Sequence, residues 1–355
     1  MKEVEASKIL TSPDYLLTRL DLKQGNYIFT QVEPRTYTDS PILDMRVESL
    51  RDREIALKFS HVDALLEQHE GPSTAPRYIF HPAFTGSTLL AGALQKPGEV
   101  LSLREPSILR EVADLKRQMI FHNNFDERNW PAFVARIVKL LSKTYSGAEK
   151  PLIKPTNIAN NLINDLLRAH PDSRGVYLYT DMDSFICANL NQPEETKRTV
   201  HVLATVFGRD LGLEDWMKET DFYRLGHLQA VVALWYIQHR QLLEELKHSV
   251  GRLTPVYSKD LFGKPSDTLK SINRDLNLGL SQEFLSGVSD SDLFQKEAKH
   301  TASSYEGNSR AEGYEALAHQ FSEEIAQAKQ WFDEATGRKM SSDAIMEKIA
   351  TYRES

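Results

Sequence analysis

The run His81-Pro82-Ala83-Phe84-Thr85-Gly86-Ser87-Thr88-Leu89-Leu90 is the first place in this chain whose residue types could do chemistry. Main-chain N–H groups in a glycine loop that opens a helix offer an oxyanion several donors, and the hydroxyls of Ser87 and Thr88 add to them. That is a cradle for a phosphate or sulfate. It is not the loop of an ATPase: G-x-x-x-x-G-K-[ST] would need Gly at His81 and Lys at Ser87, and the lysine is the main cationic partner of β- and γ-phosphates. A second run, Asp181-Met182-Asp183, follows an apolar stretch and has the spacing of a strand-end pair that holds Mg²⁺ or Mn²⁺ on a nucleotide; Asp183 also suits the cap of a helix starting near Ser184. The 11 histidines show no H-E-x-x-H or paired spacing, so no metal site is expected from them. No serine has the G-x-S-x-G setting of a hydrolase.

The elements that would position these residues alternate. Arg77–Phe80 reads as a short buried strand, His81–Gly86 as a turn and Ser87–Gln95 as a helix ending before Pro97-Gly98. Val100–Leu103 is strand-like and Ser107–Gln118 helical, opened by Pro106 with Ser107 as its cap. Asp126–Tyr145 is an amphipathic helix, Pro151–Lys154 a strand, Asn160–His170 a helix and Gly175–Tyr179 a strand. Further on, Glu194–Leu211, Leu225–Val250, Ser266–Leu276 and Ala311–Phe332 are helical, with one strand at Pro255–Tyr257. Before residue 75, Tyr27–Phe29 and Ile42-Leu43 read as strands and Ile55–Gln68 as a helix. The expected fold is therefore α/β: a doubly wound parallel sheet flanked by helices, with an N-terminal α+β extension at 1–75, a core at 76–280 and a helical C-terminal region at 281–355.

Composition narrows the class. The chain has 355 residues, a formal net charge of −7, 41 % hydrophobic and 26 % charged residues, which are the proportions of a globular protein with a large core. The acidic balance argues against nucleic acid as a partner, and no apolar stretch approaches membrane-spanning length. One cysteine, Cys187, cannot form an internal disulfide and sits in an apolar run as a buried small hydrophobe. With no export signal in the N-terminal residues, the cytoplasm is the expected location. A homodimer is allowed by these data and not required.

A family resemblance adds to this reading. Phe84-Thr85-Gly86-Ser87-Thr88-Leu89-Leu90 resembles the sulfotransferase loop written R-S-G-S-T-L-L, a P-loop type that grips the 5′ side of 3′-phosphoadenosine 5′-phosphosulfate (PAPS). Leu103–Leu109 and Ile153–Asn157 look like the family's acidic and lysine-bearing segments, in the layout of the protein-tyrosine and related carboxylate-base sulfotransferases. Val256–Leu261, Pro265 and Thr268–Lys270 look like its late strand and helix, so the likeness runs from about Arg77 to Gly279.

The resemblance implies transfer of a sulfuryl group from PAPS to a hydroxyl or amine on a small-molecule or peptide acceptor. In such a reaction Glu105 would be the base that takes the acceptor's proton, and Lys154 would stabilise the leaving phosphate. Thr85, Gly86, Ser87, Thr88 and Leu89 would bind the donor. Phe84 stands where the family has a basic residue, and Thr180 and Ala188 stand at the arginine and serine that hold the 3′-phosphate. Arg104, and Lys299 in a late basic stretch, offer replacement cations. Two other functions stay open: a metal-dependent nucleotide transferase or kinase using Asp181 and Asp183, and a P-loop protein that binds without catalysis.

Overall fold

The computed structural model of the protein describes residues 3–44, 46, 54–68, 74–124, 126–212, 214–291, 294, 310–337 and 341–354. The chain forms two compact units, the first made of Met1–Phe80, Leu90–Val176 and Lys270–Ser281, the second of His81–Leu89, Tyr177–Leu269 and Gln282–Ser355. The architecture is mixed α/β.

The first unit begins with α1 (Glu3–Thr11) and an antiparallel sheet, β1 (Tyr15–Asp21), β2 (Asn26–Gln31) and β3 (Glu54–Lys58), in that order. Helix α2 (Pro34–Asp39) follows β2, and α3 (Phe59–Gln68) follows β3. The stretch from Ile55 to Gln68 is thus not one helix. Ile55, Phe59, Val62 and Leu65 have helical spacing, but Ile55 pairs with Phe29 and Leu57 with Tyr27, and this cross-strand pairing holds the first four residues extended. Ile42-Leu43 makes no strand; Leu43 N–H donates to Arg104 O (2.6 Å) and Leu43 O accepts from Ser107 N–H (3.2 Å).

β4 (Arg77–Phe80), β5 (Val100–Arg104) and β6 (Lys150–Lys154) are short and, except for the half-buried Lys150, buried along their length, as strands covered on both faces must be. They belong to a five-stranded sheet of order β5-β6-β4-β7-β8, where β7 is Arg174–Tyr179 and β8 Leu253–Tyr257; the β4–β6 and β5–β6 pairs are parallel. Between strands run α4 (Ser87–Ala93), α5 (Ser107–Phe121), α6 (Trp130–Leu141) and, after a 3₁₀ turn at Asn157–Leu162, α7 (Ile163–Arg168). Pro106, not Ser107, is the N-cap of α5. The Ser107 hydroxyl donates instead to Thr18 O (2.6 Å) and so ties α5 to β1.

The second unit is mainly helical: α8 (Met182–Leu190), α9 (Glu194–Lys197), α10 (Thr199–Leu211), α11 (Asp215–Glu219), α12 (His227–His248), α13 (Ser258–Gly263), the first residues of α14 (Pro265–Asp275), whose remainder from Lys270 belongs to the first unit, α15 (Gln282–Ser289), α16 (Arg310–Gln320), α17 (Ser322–Ala335) and α18 (Ser342–Glu354). The 22-residue α12 is its axis, with Val231–Ile237 buried and α8, α10, α17 and α18 packed on it. Trp216 meets Phe222, Tyr236, Trp331 and Phe332, while Glu214 accepts from Trp216 Nε1, Tyr236 OH and Arg240 Nε. The stretch Ala311–Phe332 is divided at Phe321 into α16 and α17. Among the described residues no helix is long and apolar enough to cross a membrane.

Candidate active site

In the first unit, β5 and β6 run parallel with Arg104 opposite Lys154, so Glu105 and Lys154 come to the carboxyl ends of neighbouring strands, where open α/β sheets place their ligand crevices. Lys154 Nζ donates to Glu105 Oε1 at 2.5 Å, and Glu105 N–H donates to Lys154 O at 2.6 Å. The lysine side chain is 0 % exposed and that of Glu105 21 %. Burial pulls the Lys154 ammonium below its ordinary pKa, against the opposing pull of Glu105, and Arg104 lowers it further. A paired acid and amine are thereby held in a shielded place, one partly open to solvent.

The backbone at Glu105 is unusual. Its φ is +54°, the left-handed region that a residue with a Cβ seldom adopts, and a proline follows. Such a conformation costs on the order of 1–3 kcal/mol and persists where the neighbours fix it. Here Leu43 brackets the turn by hydrogen bonds to Arg104 and Ser107. Backbone strain of this kind leaves no mark in a single sequence. Arg46, also from the N-terminal extension, lies in the field of the carboxylate: Asp44 raises its pKa first, and Glu105 adds to the rise. Sequence reasoning passed over Arg46, since nothing nearby in the chain ties it to a site.

Arg104 is not available as a replacement cation. Its Nη2 donates to the carbonyls of Tyr37 and Thr38 at the end of α2, the groups a helix leaves without partners. Burial lowers its pKa, and its Nε meets no hydrogen-bond partner among the described residues.

In the second unit, the loop from His81 to Gly86 leaves β4 and enters α4. Phe84 and Gly86 have φ of +66° and +79°. Thr85 is buried and its hydroxyl donates to Pro82 O (3.1 Å), whose oxygen is also 2.9 Å from His81 Nδ1. The φ favours glycine here, and a Cβ on Gly86 would stand 2.6 Å from Phe262 Cζ, so the Phe262 ring would have to shift to admit one. Ser87 and Leu89 are buried and Thr88 half-buried; the Ser87 hydroxyl makes no hydrogen bond among the described residues.

Thr180, at the end of β7, is buried with its backbone gripped by α12: its N–H donates to His239 Nε2 (3.4 Å) and its carbonyl accepts from Trp235 Nε1 (2.8 Å). His239 Nδ1 pairs with Trp235 O (2.7 Å), and burial depresses the imidazole to about 4, so it is neutral. Ala188 is buried in α8. Lys299 lies outside the described residues.

The two aspartates after β7 are engaged by protein. Asp181 caps α8, accepting from Ser184 N–H (2.9 Å), and its other oxygen accepts from Tyr257 OH (2.8 Å) and pairs with Lys259 (3.0 Å). Burial raises the pKa of this carboxyl, but the Ser184, Lys259 and Tyr257 donors outweigh it and hold the carboxyl low. Asp183 pairs with Lys329. The capping role expected of Asp183 therefore belongs to Asp181. No group of three or more potential metal-ligating side chains occurs among the described residues. Cys187 is buried and its thiol is pushed up to about 11 by burial first, then by Asp183 and Asp181.

No family profile matches the chain, and no curated protein does. Similar solved structures are sulfotransferases. The sulfotransferase domain from the curacin biosynthetic pathway is 14 % identical over 71 % of this chain and 99 % of its own, with a TM-score of 0.37. Sulfotransferase STF9 from Mycobacterium avium is 16 % identical over 75 % and 81 %, with a TM-score of 0.38. Sulfotransferase STF1 from Mycobacterium tuberculosis H37Rv is 13 % identical over 64 % and 75 %, with a TM-score of 0.35.

Proposed function

We propose that this chain is a sulfotransferase that moves a sulfuryl group from PAPS to a hydroxyl or amine. The observation that carries the reading is the 2.5 Å pair of Lys154 and Glu105 at the carboxyl ends of adjacent parallel strands. An acceptor needs a base, and the partly open Glu105 carboxylate is placed to take its proton. The departing phosphate gathers negative charge, and the Lys154 ammonium is the cation suited to steady it. When bound, PAPS supplies the activated sulfuryl group.

The residues fit one part of the donor better than the other. Thr85, Gly86, Ser87, Thr88 and Leu89 form a loop with an unengaged hydroxyl at Ser87, which suits the 5′ phosphate. Thr180 and Ala188 bring no charge to the 3′-phosphate, and that role falls to Lys299 in this proposal. A metal-dependent kinase is disfavoured, because Asp181 and Asp183 already have protein partners.

The test is thermal stabilisation of the full chain by adenosine 3′,5′-bisphosphate in EDTA, compared with ATP and Mg²⁺, followed by transfer from ³⁵S-labelled PAPS to a panel of phenols, alcohols and amines. The reading predicts stabilisation by the bisphosphate without metal, weakened by Ser87→Ala. Stabilisation only by ATP with Mg²⁺ would move the chain to the kinases. Bisphosphate binding with no labelled product from any acceptor would leave a binding protein.

A further inference from the structure

Within the second unit, a cavity of about 370 Å³ opens between the start of α12 and the first turns of α17, closed on one side by the end of α8. Its size lies at the lower end of the range of small-molecule sites, roughly 300–1,000 Å³. Leu190, Leu228 and Phe321 give it an apolar wall, and His227, Glu324 and Gln327 bring polar atoms to it. None of these six belongs to the loop at Gly86 or to the Glu105–Lys154 pair.

The polar atoms have unused capacity. His227 Nε2 is shielded from solvent and meets no hydrogen-bond partner among the described residues. Burial first, then Lys197 and His201, holds this imidazole below its ordinary value, so it is neutral near pH 7. Glu324 makes no ion pair or hydrogen bond among the described residues, and neither does Gln327. Gln229, also in the lining, is already committed through its Oε1 to Gly226 N–H (2.9 Å). The groups left over are the Glu324 carboxylate, which accepts, the Gln327 amide, whose carbonyl accepts and whose NH2 donates, and a neutral imidazole nitrogen, beside aliphatic and aromatic surface. That set suits a head group rich in N–H donors and positively charged, on an apolar body.

We propose that this cavity binds a small primary amine carried on an apolar body, its ammonium at Glu324 and Gln327 and its body against Leu190, Leu228 and Phe321. The assignment does not depend on the sulfotransferase reading. The probes are 2-phenylethylamine, 2-phenylethanol and 3-phenylpropionate, which share a body and differ in head group. Each is titrated into the full-length protein while the Cε1–H resonance of His227, assigned by its loss in His227→Gln, is followed by NMR.

The amine shifts that resonance saturably and binds about two- to fivefold more tightly than the alcohol, the worth of one exposed charge pair. The carboxylate binds more weakly still. Glu324→Gln, on an exposed position, removes the preference for the amine while leaving the alcohol's affinity unchanged. The proposal is overturned if the amine causes no saturable shift at 20 mM, a ceiling set roughly one to two orders of magnitude above a weak-ligand Kd. It is equally overturned if the carboxylate binds as tightly, or if Glu324→Gln leaves the preference intact.

Discussion

Removing Glu105 and removing Lys154 should have unequal effects on folding, and the inequality tests the geometry on which the proposed chemistry rests. At 2.5 Å the gross attraction of two unit charges is about 7 kcal/mol for an effective dielectric constant near 20. Desolvation of the buried ammonium takes back most of it. The net consequence depends on which partner is left behind. Glu105→Gln strands an ammonium that is 0 % exposed and should cost about 3–5 kcal/mol. Lys154→Met puts an apolar chain of similar size into the same shielded place and leaves a carboxylate that reaches water, at a cost of about 1–2 kcal/mol. The double variant should be more stable than Glu105→Gln alone.

The sign of the pH dependence follows. In Glu105→Gln, the Lys154 ammonium loses the partner that held its pKa up, while burial still pulls it down. The unfolded chain then binds more protons than the folded one below the ordinary lysine value, so the variant's stability rises with pH up to about 10.5. Urea denaturation followed by circular dichroism, at several pH values for all four proteins, measures these terms. Additive effects, or a Lys154→Met variant less stable than Glu105→Gln, would refute the buried-pair argument. Both positions also serve the structure, so activity losses in these variants must be read beside their stabilities.

Three other outcomes follow from the structure. Lys143, buried with its Nζ donating to Ile9 O (3.0 Å) and Tyr15 O and lying 5.2 Å from the Phe29 ring, has its pKa pushed down to about 7 by burial. Stability should therefore climb between about pH 7 and 10.5, and Lys143→Met should flatten that part of the urea-midpoint profile. Gly86→Ala should destabilise by about 1–3 kcal/mol and abolish bisphosphate binding in calorimetry, with Phe262→Ala in the same chain restoring part of the stability by removing the 2.6 Å clash. Asp181→Ala should lower stability by about 1–2 kcal/mol through loss of the α8 cap, and the melting temperature of the unmutated protein should not change on adding EDTA or Mg²⁺.

Much of the sheet is legible along the chain. Arg77–Phe80, Val100–Arg104, Lys150–Lys154 and Arg174–Tyr179 are short apolar runs bounded by turn residues, and strands buried on both faces require that pattern. Gly86 and its hydroxyl neighbours stand out for the same local reason, since a left-handed turn leaves glycine little competition. Residue type and spacing are properties of the chain and need no partner to be seen.

Pairing over distance was decided elsewhere. Glu105 and Lys154 lie 49 positions apart, and only the parallel register of β5 with β6 joins them. Tertiary contacts turned Arg104 toward the last carbonyls of α2 and made Glu54–Lys58 a strand, because β2 offered a ladder that helical spacing could not foresee. In each case the competing arrangements cost nearly the same locally, and a hydrogen-bond partner remote in sequence tipped the balance.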